Sequence, residues 1–294
     1  MPPTSAGIGS GFEMPWWGWP ALLFLATFLL GTVAVLGGVG GGVLFVPIVG
    51  GFFPFHVDFV RGAGLMVALA GALAAGPALL RSGMASLKLA MPMALVASMS
   101  AIAGATVGLA LPTSIVQTSL GVCILSVVVL LLLARKSEFP TVPKADALAA
   151  ALGIGGVYHD LGSDRDYDWK VHNTPAGLVL FVAIGFMAGM FGLGAGWANV
   201  PVLNLLMGAP LKVSVATSSF MLSIVDSSAA WVYMNKGAVL AIITVPSLVG
   251  MMLGAFVGVR LLQRVPAAAI RKMLIALLAF AGSRALLKGL GIWP

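Results

Sequence analysis

The run Gly37-Gly38-Val39-Gly40-Gly41-Gly42, with Pro47 following, decides the fold, because the chain repeats it as Gly192-Leu193-Gly194-Ala195-Gly196 with Pro201 in the same place. The offset from Gly38 to Gly192 is 154 residues, and it holds far beyond the motif. It pairs Gly31 with Gly185, Gly40 with Gly194, Gly42 with Gly196 and Pro47 with Pro201. It also pairs Gly83 with Gly237, Pro92 with Pro246, Gly104 with Gly258 and Pro112 with Pro266. One shared glycine means little, but this many in a single register argue for a duplicated unit.

Composition places both copies in a bilayer. The 294 residues are 60% hydrophobic and only 9% charged, with a mean hydropathy of +1.08. A soluble surface needs far more charge than that. Long apolar stretches between short polar breaks therefore read as membrane helices. The net charge of +7 comes from basic residues set singly at span edges, where they orient the chain in the lipid bilayer, so no nucleic-acid partner is expected. Cys123 is the sole cysteine and lies in an apolar span, which excludes an internal disulfide. The first residues lack a basic n-region, so the first span reads as an uncleaved anchor. Trp16, Trp17 and Trp19 at its edge suit an interfacial belt.

Residues 1–18 form an N-terminal tail, 19–136 a first transmembrane repeat, 137–175 a linker and 176–290 a second repeat. Apolar segments run over 19–36, 43–53, 62–80, 89–111 and 114–134, then over 176–191, 197–207, 213–235, 238–259 and 267–288. Each repeat thus reads as a Gly-broken short helix pair plus three full transmembrane helices. The segments 43–53 and 197–207 are too short to cross: about 11 helical residues rise about 16 Å, against a hydrocarbon core of about 30 Å. Non-helical backbone at membrane depth survives only where protein or water satisfies it, so a glycine break there lines a cavity.

If each short segment returns toward its starting face, each repeat makes an odd number of net crossings and the two repeats are inverted. One face then receives 12 of the 16 Lys and Arg and the other receives 4. Two parallel repeats would divide them 10 against 6. The positive-inside rule prefers the sharper split, which places both termini outside and the central linker in the cytoplasm. The expectation is an all-α polytopic membrane protein with two inverted-topology repeats.

The glycine breaks are the first candidate site. Gly40, Gly41 and Gly42, and Gly194, Ala195 and Gly196, each precede a short helix starting near Val43 or Trp197. The free N–H groups and positive dipole end of such a helix attract an anion without a buried cation. Paired helix ends meeting near the midplane recur in transporters with inverted repeats. The alternative is that these glycines only let helices pack closely. Thr217, Ser218 and Ser219 add hydroxyls that could replace water around an oxyanion, or could bond back to their own helix. Asn199 and Asn204 lie on the second short segment, each a candidate ligand or an interhelical bond. Asp226 is the acid placed within an apolar span, and such carboxylates are costly and usually functional, here as a proton carrier. Lys212 could draw anions to the inner mouth, or only set topology.

The linker's Asp164-x-Asp166-x-Asp168 lacks the Gly and Glu of a calcium loop and reads as a solvated hairpin or loop. His56, His159 and His172 show no metal spacing, and no nucleophile elbow, zinc-protease motif or phosphate loop is present. Neither an enzyme, a cofactor nor a metal is expected.

The doubled glycine segments ending Val46-Pro47 and Val200-Pro201, and the run Asn204-Leu205-Leu206-Met207-Gly208-Ala209-Pro210-Leu211-Lys212-Val213-Ser214-Val215-Ala216-Thr217-Ser218-Ser219-Phe220, resemble the TauE/SafE family. The resemblance covers nearly the whole chain after the tail. It implies an exporter or permease of sulfite, sulfoacetate, thiosulfate or related organosulfonates in the bacterial inner membrane, with a small anion as partner. A homodimer is an admissible assembly. An anion channel, or a permease for carboxylates or other small anions, is the competing expectation. The first repeat reads Arg61-Gly62-Ala63-Gly64 where many relatives carry a Thr-Ser motif, so a two-fold symmetric pair of hydroxyl sites is not expected.

Overall fold

A computed structural model describes residue 15 and residues 17–37, 40–53, 55–81, 85–133, 140, 142–160, 165–261 and 267–292. Gly38, Val39, Gly83, Asp164 and Pro266, and the tail before residue 15, lie outside these. The first half holds α1 (Gly18–Gly37), the short α2 (Gly41–Phe52), α3 (Val57–Arg81), α4 (Leu87–Ala110) and α5 (Thr113–Leu133). The linker holds α6 (Ala147–Ala151) and the strands β1 (Gly155–Asp160) and β2 (Arg165–Lys170). The second half holds α7 (Thr174–Phe191), the short α8 (Gly196–Pro201), a π-helical turn (Val202–Leu206), α9 (Leu211–Asn235), α10 (Ala241–Leu261) and α11 (Ala267–Gly289). The order within each half is the one the offset implies.

Local chemistry explains several boundaries. Ser86 caps α4, its hydroxyl accepting from the Leu89 N–H at 3.4 Å. Pro175 occupies the first turn of α7, where a missing N–H costs nothing. Gly192 ends α7 at φ 68°, a left-handed conformation that glycine adopts freely. Pro201 has no N–H to continue α8, and the next turn widens until the Met207 N–H reaches the Val202 carbonyl at 3.0 Å.

Five helices are long and apolar enough to cross a membrane, at Val57–Ala74, Leu87–Ala110, Thr174–Phe191, Leu211–Asn235 and Ala241–Gly258, with shorter apolar helices at Gly18–Ala34, Gly41–Phe52 and Thr113–Val129, among the described residues. The protein is an all-helical, multi-pass membrane protein apart from its linker hairpin.

The halves interlock. α1 packs on α10 and runs parallel to it: Gly250 lies against Phe24 and Thr27, and Gly254 against Phe28 and Thr32. α7 packs on α4 the same way, with Gly185 against Ala97 and Gly189 against Ala101. The corresponding helices α3 and α9 run antiparallel, since Arg61 meets Tyr233 at one end and Ser86, just past α3, meets Thr217 at the other. α5 and α11 are also antiparallel, Thr118 meeting Gly289 and Ile124 meeting Gly282. Contacts recur in shifted register: Gly31 against Met251 is matched by Gly185 against Ala97, and Gly40 against Leu222 by Gly194 against Ala68. Close backbone approach at small residues is how helices associate without a hydrophobic drive.

Two apolar cores result, and they do not follow the sequence halves. One joins α4, α7, α8 and α9 with the linker; the other joins α1, α2, α5, α10 and α11; α3 puts residues into both, and α7 reaches the second through Phe191. The linker hairpin pairs Gly155 with Lys170 through Asp160 with Arg165. It is not wholly solvated. Tyr158 and Trp169 are buried in the first core, while Asp166 and Asp168 face outward. Asp146 ties the linker down: its carboxylate accepts from the Ala149 N–H and from the Thr174 N–H that opens α7, each at 2.6 Å.

Candidate functional site

The two glycine breaks meet. Gly40 has φ 84°, and a Cβ there would lie 3.6 Å from the Leu222 side chain and 3.9 Å from the Gly196 Cα. On Gly42 a Cβ would fall 2.4 Å from the Leu193 carbonyl oxygen, so the backbones of the two breaks touch there. A Cβ on Gly41 would strike the Met251 side chain at 2.6 Å. Gly194, at φ 72°, faces the Asp226 carboxylate and Ala68, at 3.1 and 3.2 Å from such a Cβ. Ala195 is wholly buried beside it, in the first core. The meeting point stands level with the middle of α3 and α9. α2 starts at Gly41 and α8 at Gly196, a residue or two before the expected Val43 and Trp197. Neither helix start has a side-chain cap.

The polar atoms around this point are unequally distributed. Asn199 is 0% exposed, and neither its amide oxygen nor its nitrogen has a hydrogen-bond partner among the described residues. Asp226 is also 0% exposed, with both carboxylate oxygens unpartnered among the same residues. The Trp197 indole N–H is buried and unpartnered, and its ring packs against both cores. Each such group costs about 1–3 kcal/mol if it stays unpaired. The first break has no equivalent. The repeat positions of Asn199 and Asp226 are Phe45 and Ala72, and the break faces Leu222 and Met251.

Other residues singled out from the sequence are already engaged. Thr217 is wholly buried, and its hydroxyl accepts from the Ser86 N–H at 3.1 Å, which leaves its own proton free. Ser218 is buried; Ser219 is half-buried and donates back to the Val215 carbonyl at 3.0 Å. Ser223 and Ser228 also bond back to their own helix. Asn204 donates to the Ala209 carbonyl at 2.8 Å and so closes the loop after the π turn. Lys212 is exposed at the first turn of α9 and has a partner. The structure thus gathers Gly40, Gly42, Gly194 and Asp226 at one point, while Asn204 and Lys212 lie toward the linker end.

Two residues do not stand out as site residues in the sequence. Trp197 marks only a helix start there. Arg61, counted as an edge charge, is 0% exposed. Its place in the second turn of a long apolar span was the available signal, since an arginine there must either snorkel or find internal partners.

A multi-pass helical bundle with broken helices and a buried polar centre is the architecture of a membrane transporter. Residues 23–285 match the Sulfite exporter TauE/SafE family, and the chain belongs to that family. It is also 32% identical over 80 residues to the Probable membrane transporter protein YunE of Bacillus subtilis (strain 168), an alignment covering 27% of this chain and 28% of that protein. No solved structure matches.

Proposed function

We propose that the protein is a secondary transporter that exports a sulfur oxyanion such as sulfite, sulfoacetate or a related organosulfonate by alternating access. The observation that carries this reading is Asp226, wholly buried and unpartnered against Gly194 at the touching breaks, with Asn199, likewise buried and unpartnered, following Gly196 on α8. The Asn199 amide, the Trp197 indole and the N–H groups opening α2 and α8 are neutral donors suited to an oxyanion. Gly40, Gly41, Gly42, Gly194, Ala195 and Gly196 let backbone approach it, and Thr217, Ser218 and Ser219 would line the way to it from the linker end of α9. Asp226 supplies the coupling. An anion beside an ionised carboxylate in a buried site is repelled strongly, so the anion enters with a proton on Asp226 and the two move together, outward when the anion's own gradient exceeds the opposing proton gradient. Lys212 would draw anions to the linker-side mouth.

Inverted repeats support alternating access. What favours inversion is the antiparallel pairing of α3 with α9 and of α5 with α11, together with the shifted-register contacts. Following the helix directions, α1 begins and α11 ends on the face opposite the linker. With most of the Lys and Arg on the linker side, the positive-inside rule puts the linker in the cytoplasm of a bacterial cell and both termini outside.

The test is sulfite, thiosulfate and sulfoacetate flux in proteoliposomes, with and without a pH gradient. The gradient should accelerate flux through the native chain and not through Asp226→Asn. Flux indifferent to both would mean an anion channel, and no flux with any of these anions would sink the sulfur-oxyanion reading.

A further inference from the structure

Arg61 is wholly buried, yet its bonds are not those of a fixed core residue. Its Nη1 donates to the Gly108 carbonyl at 3.1 Å and the Met190 carbonyl at 2.8 Å, and Nη2 donates to Gly108 at 3.1 Å and pairs with Asp58 one turn earlier. The guanidinium lies 5.7 Å from the centre of the Tyr233 ring. The Tyr233 hydroxyl in turn donates to the Gly189 carbonyl at 3.0 Å and the Met190 carbonyl at 3.3 Å. Gly108 is in the last turn of α4, and Gly189 and Met190 in the last turn of α7. Helix ends leave these carbonyls without helical partners, and the negative dipole end favours a cation. Arg61 therefore gathers the ends of α4 and α7 from α3: Ala105 on α4 and Ala188 on α7 sit in the first core, while Val60 and Ala63 beside Arg61, and Phe191 at the tip of α7, sit in the second.

The position matters as much as the bonds. A Cβ on Gly192 would fall 2.4 Å from the Arg61 carbonyl oxygen, so Arg61 abuts the second break two residues before Gly194 meets Asp226. A Cβ on Gly62 would lie 2.2 Å from the Ala238 carbonyl oxygen, which closes the same end of the interface. All these contacts lie on the face opposite the linker. Terminal carbonyls and a guanidinium are groups that water can satisfy once the end opens, so parting them exchanges bonds rather than stranding them.

We propose that Arg61 is the latch of the face opposite the linker: a positioning residue that holds the two cores together there and must release α4 and α7 before the central site can open to that side. The proposal rests on the alternating-access reading above.

The test uses the full chain in proteoliposomes, with Cys123→Ala and a reporter Leu222→Cys beside Gly40. A membrane-impermeant maleimide is added on the side where an exposed His56→Cys control reacts. Arg61→Gln should raise the reporter's labelling rate about tenfold or more, the factor carried by one charge-assisted bond. Arg61→Lys should recover part of the protection, and Tyr233→Phe should give a smaller rise. A folded Arg61→Gln with native labelling overturns the latch. If Arg61→Gln does not fold, Tyr233→Phe decides: faster labelling supports the latch and unchanged labelling overturns it. Sulfite is added to the native reporter separately. If it leaves labelling and flux untouched while Arg61→Gln accelerates labelling, the latch stands and the sulfur-oxyanion reading falls.

Discussion

Replacing Asn199 by leucine separates a transport site from a packing contact. In the closed arrangement both ends of the Asn199 amide are buried without partners, and Ala195, Ala198 and Leu203 nearby belong to the apolar first core. Leaving a buried donor and acceptor unpaired costs about 1–3 kcal/mol each. A leucine of similar length removes both costs and adds apolar burial, against some overpacking of about 1–3 kcal/mol. The net expectation is a protein about 1–2 kcal/mol more stable than the native one, which at roughly 2–4 °C per kcal/mol is a rise of several degrees in the melting temperature in detergent. Transport should fall at least tenfold, because the amide that pays this cost in the closed form is the one assigned to the anion. The measurements are a thermal-unfolding scan and sulfite flux on the same reconstituted sample. A less stable variant with normal flux would refute the reasoning, since it would mean that the amide bonds within the protein and contributes nothing to transport.

Gly42→Ala should slow flux and lower the melting temperature, by the 1–3 kcal/mol or so typical of overpacking, because its Cβ would fall 2.4 Å from the Leu193 carbonyl oxygen; Gly50→Ala, whose Cβ would sit 3.7 Å from Val60, is the tolerated control. Thr217→Val should cost about 1–2 kcal/mol in thermal stability by leaving the Ser86 N–H unpaired, and Thr217→Ser should restore it; equal stability of all three would remove that bond. The linker should undock in acid. Partial burial works to raise the Asp146 pKa, but the bonds from Ala149 and Thr174 and the nearby His172 outweigh it and hold the carboxyl below its ordinary value. A depressed carboxylate stabilises the fold above its unfolded pKa of about 3.9 and loses that contribution as pH falls through the lower folded value. Amide protection of the two linker strands, taken relative to the intrinsic exchange rate at each pH, should therefore hold at pH 5 and fall below about pH 4, whereas unchanged protection at pH 3 would count against the Asp146 tether.

The helix order was legible because the bilayer makes length and apolarity decisive, and because an uninterrupted offset carries each boundary of one half onto the other. The short α2 and α8, and the break before each, followed from counting residues against membrane thickness. What stayed hidden depends on distant partners. Thr217 finds its donor at Ser86, 131 positions away, and nothing in a hydroxyl-rich stretch indicates this. Arg61 looks like any edge charge until α4 and α7 bring their last carbonyls to it. The π turn after Pro201 leaves no periodic signature. The linker's Tyr158 and Trp169 read as hairpin residues, but their burial needed the core they enter.

The two halves share a geometry without sharing its chemistry. Copying a unit supplies geometry: two helix breaks that approach each other, each opened by glycine, each stacked on a middle stretch of the other half. It does not require that both breaks bind. The position 154 residues before Asn199 is Phe45 and that before Asp226 is Ala72, so the first break is a packing surface against Leu222 and Met251 and the unpartnered polar groups lie at the second. Two equivalent polar sites in touching breaks would set two bound anions side by side in a medium where like charges repel strongly. One polar break and one apolar break avoid that cost. They also predict one anion bound per chain, so that equilibrium binding of radiolabelled sulfite to the purified protein should saturate near one per chain and fall with Asn199→Leu, while Phe45→Leu should leave it unchanged.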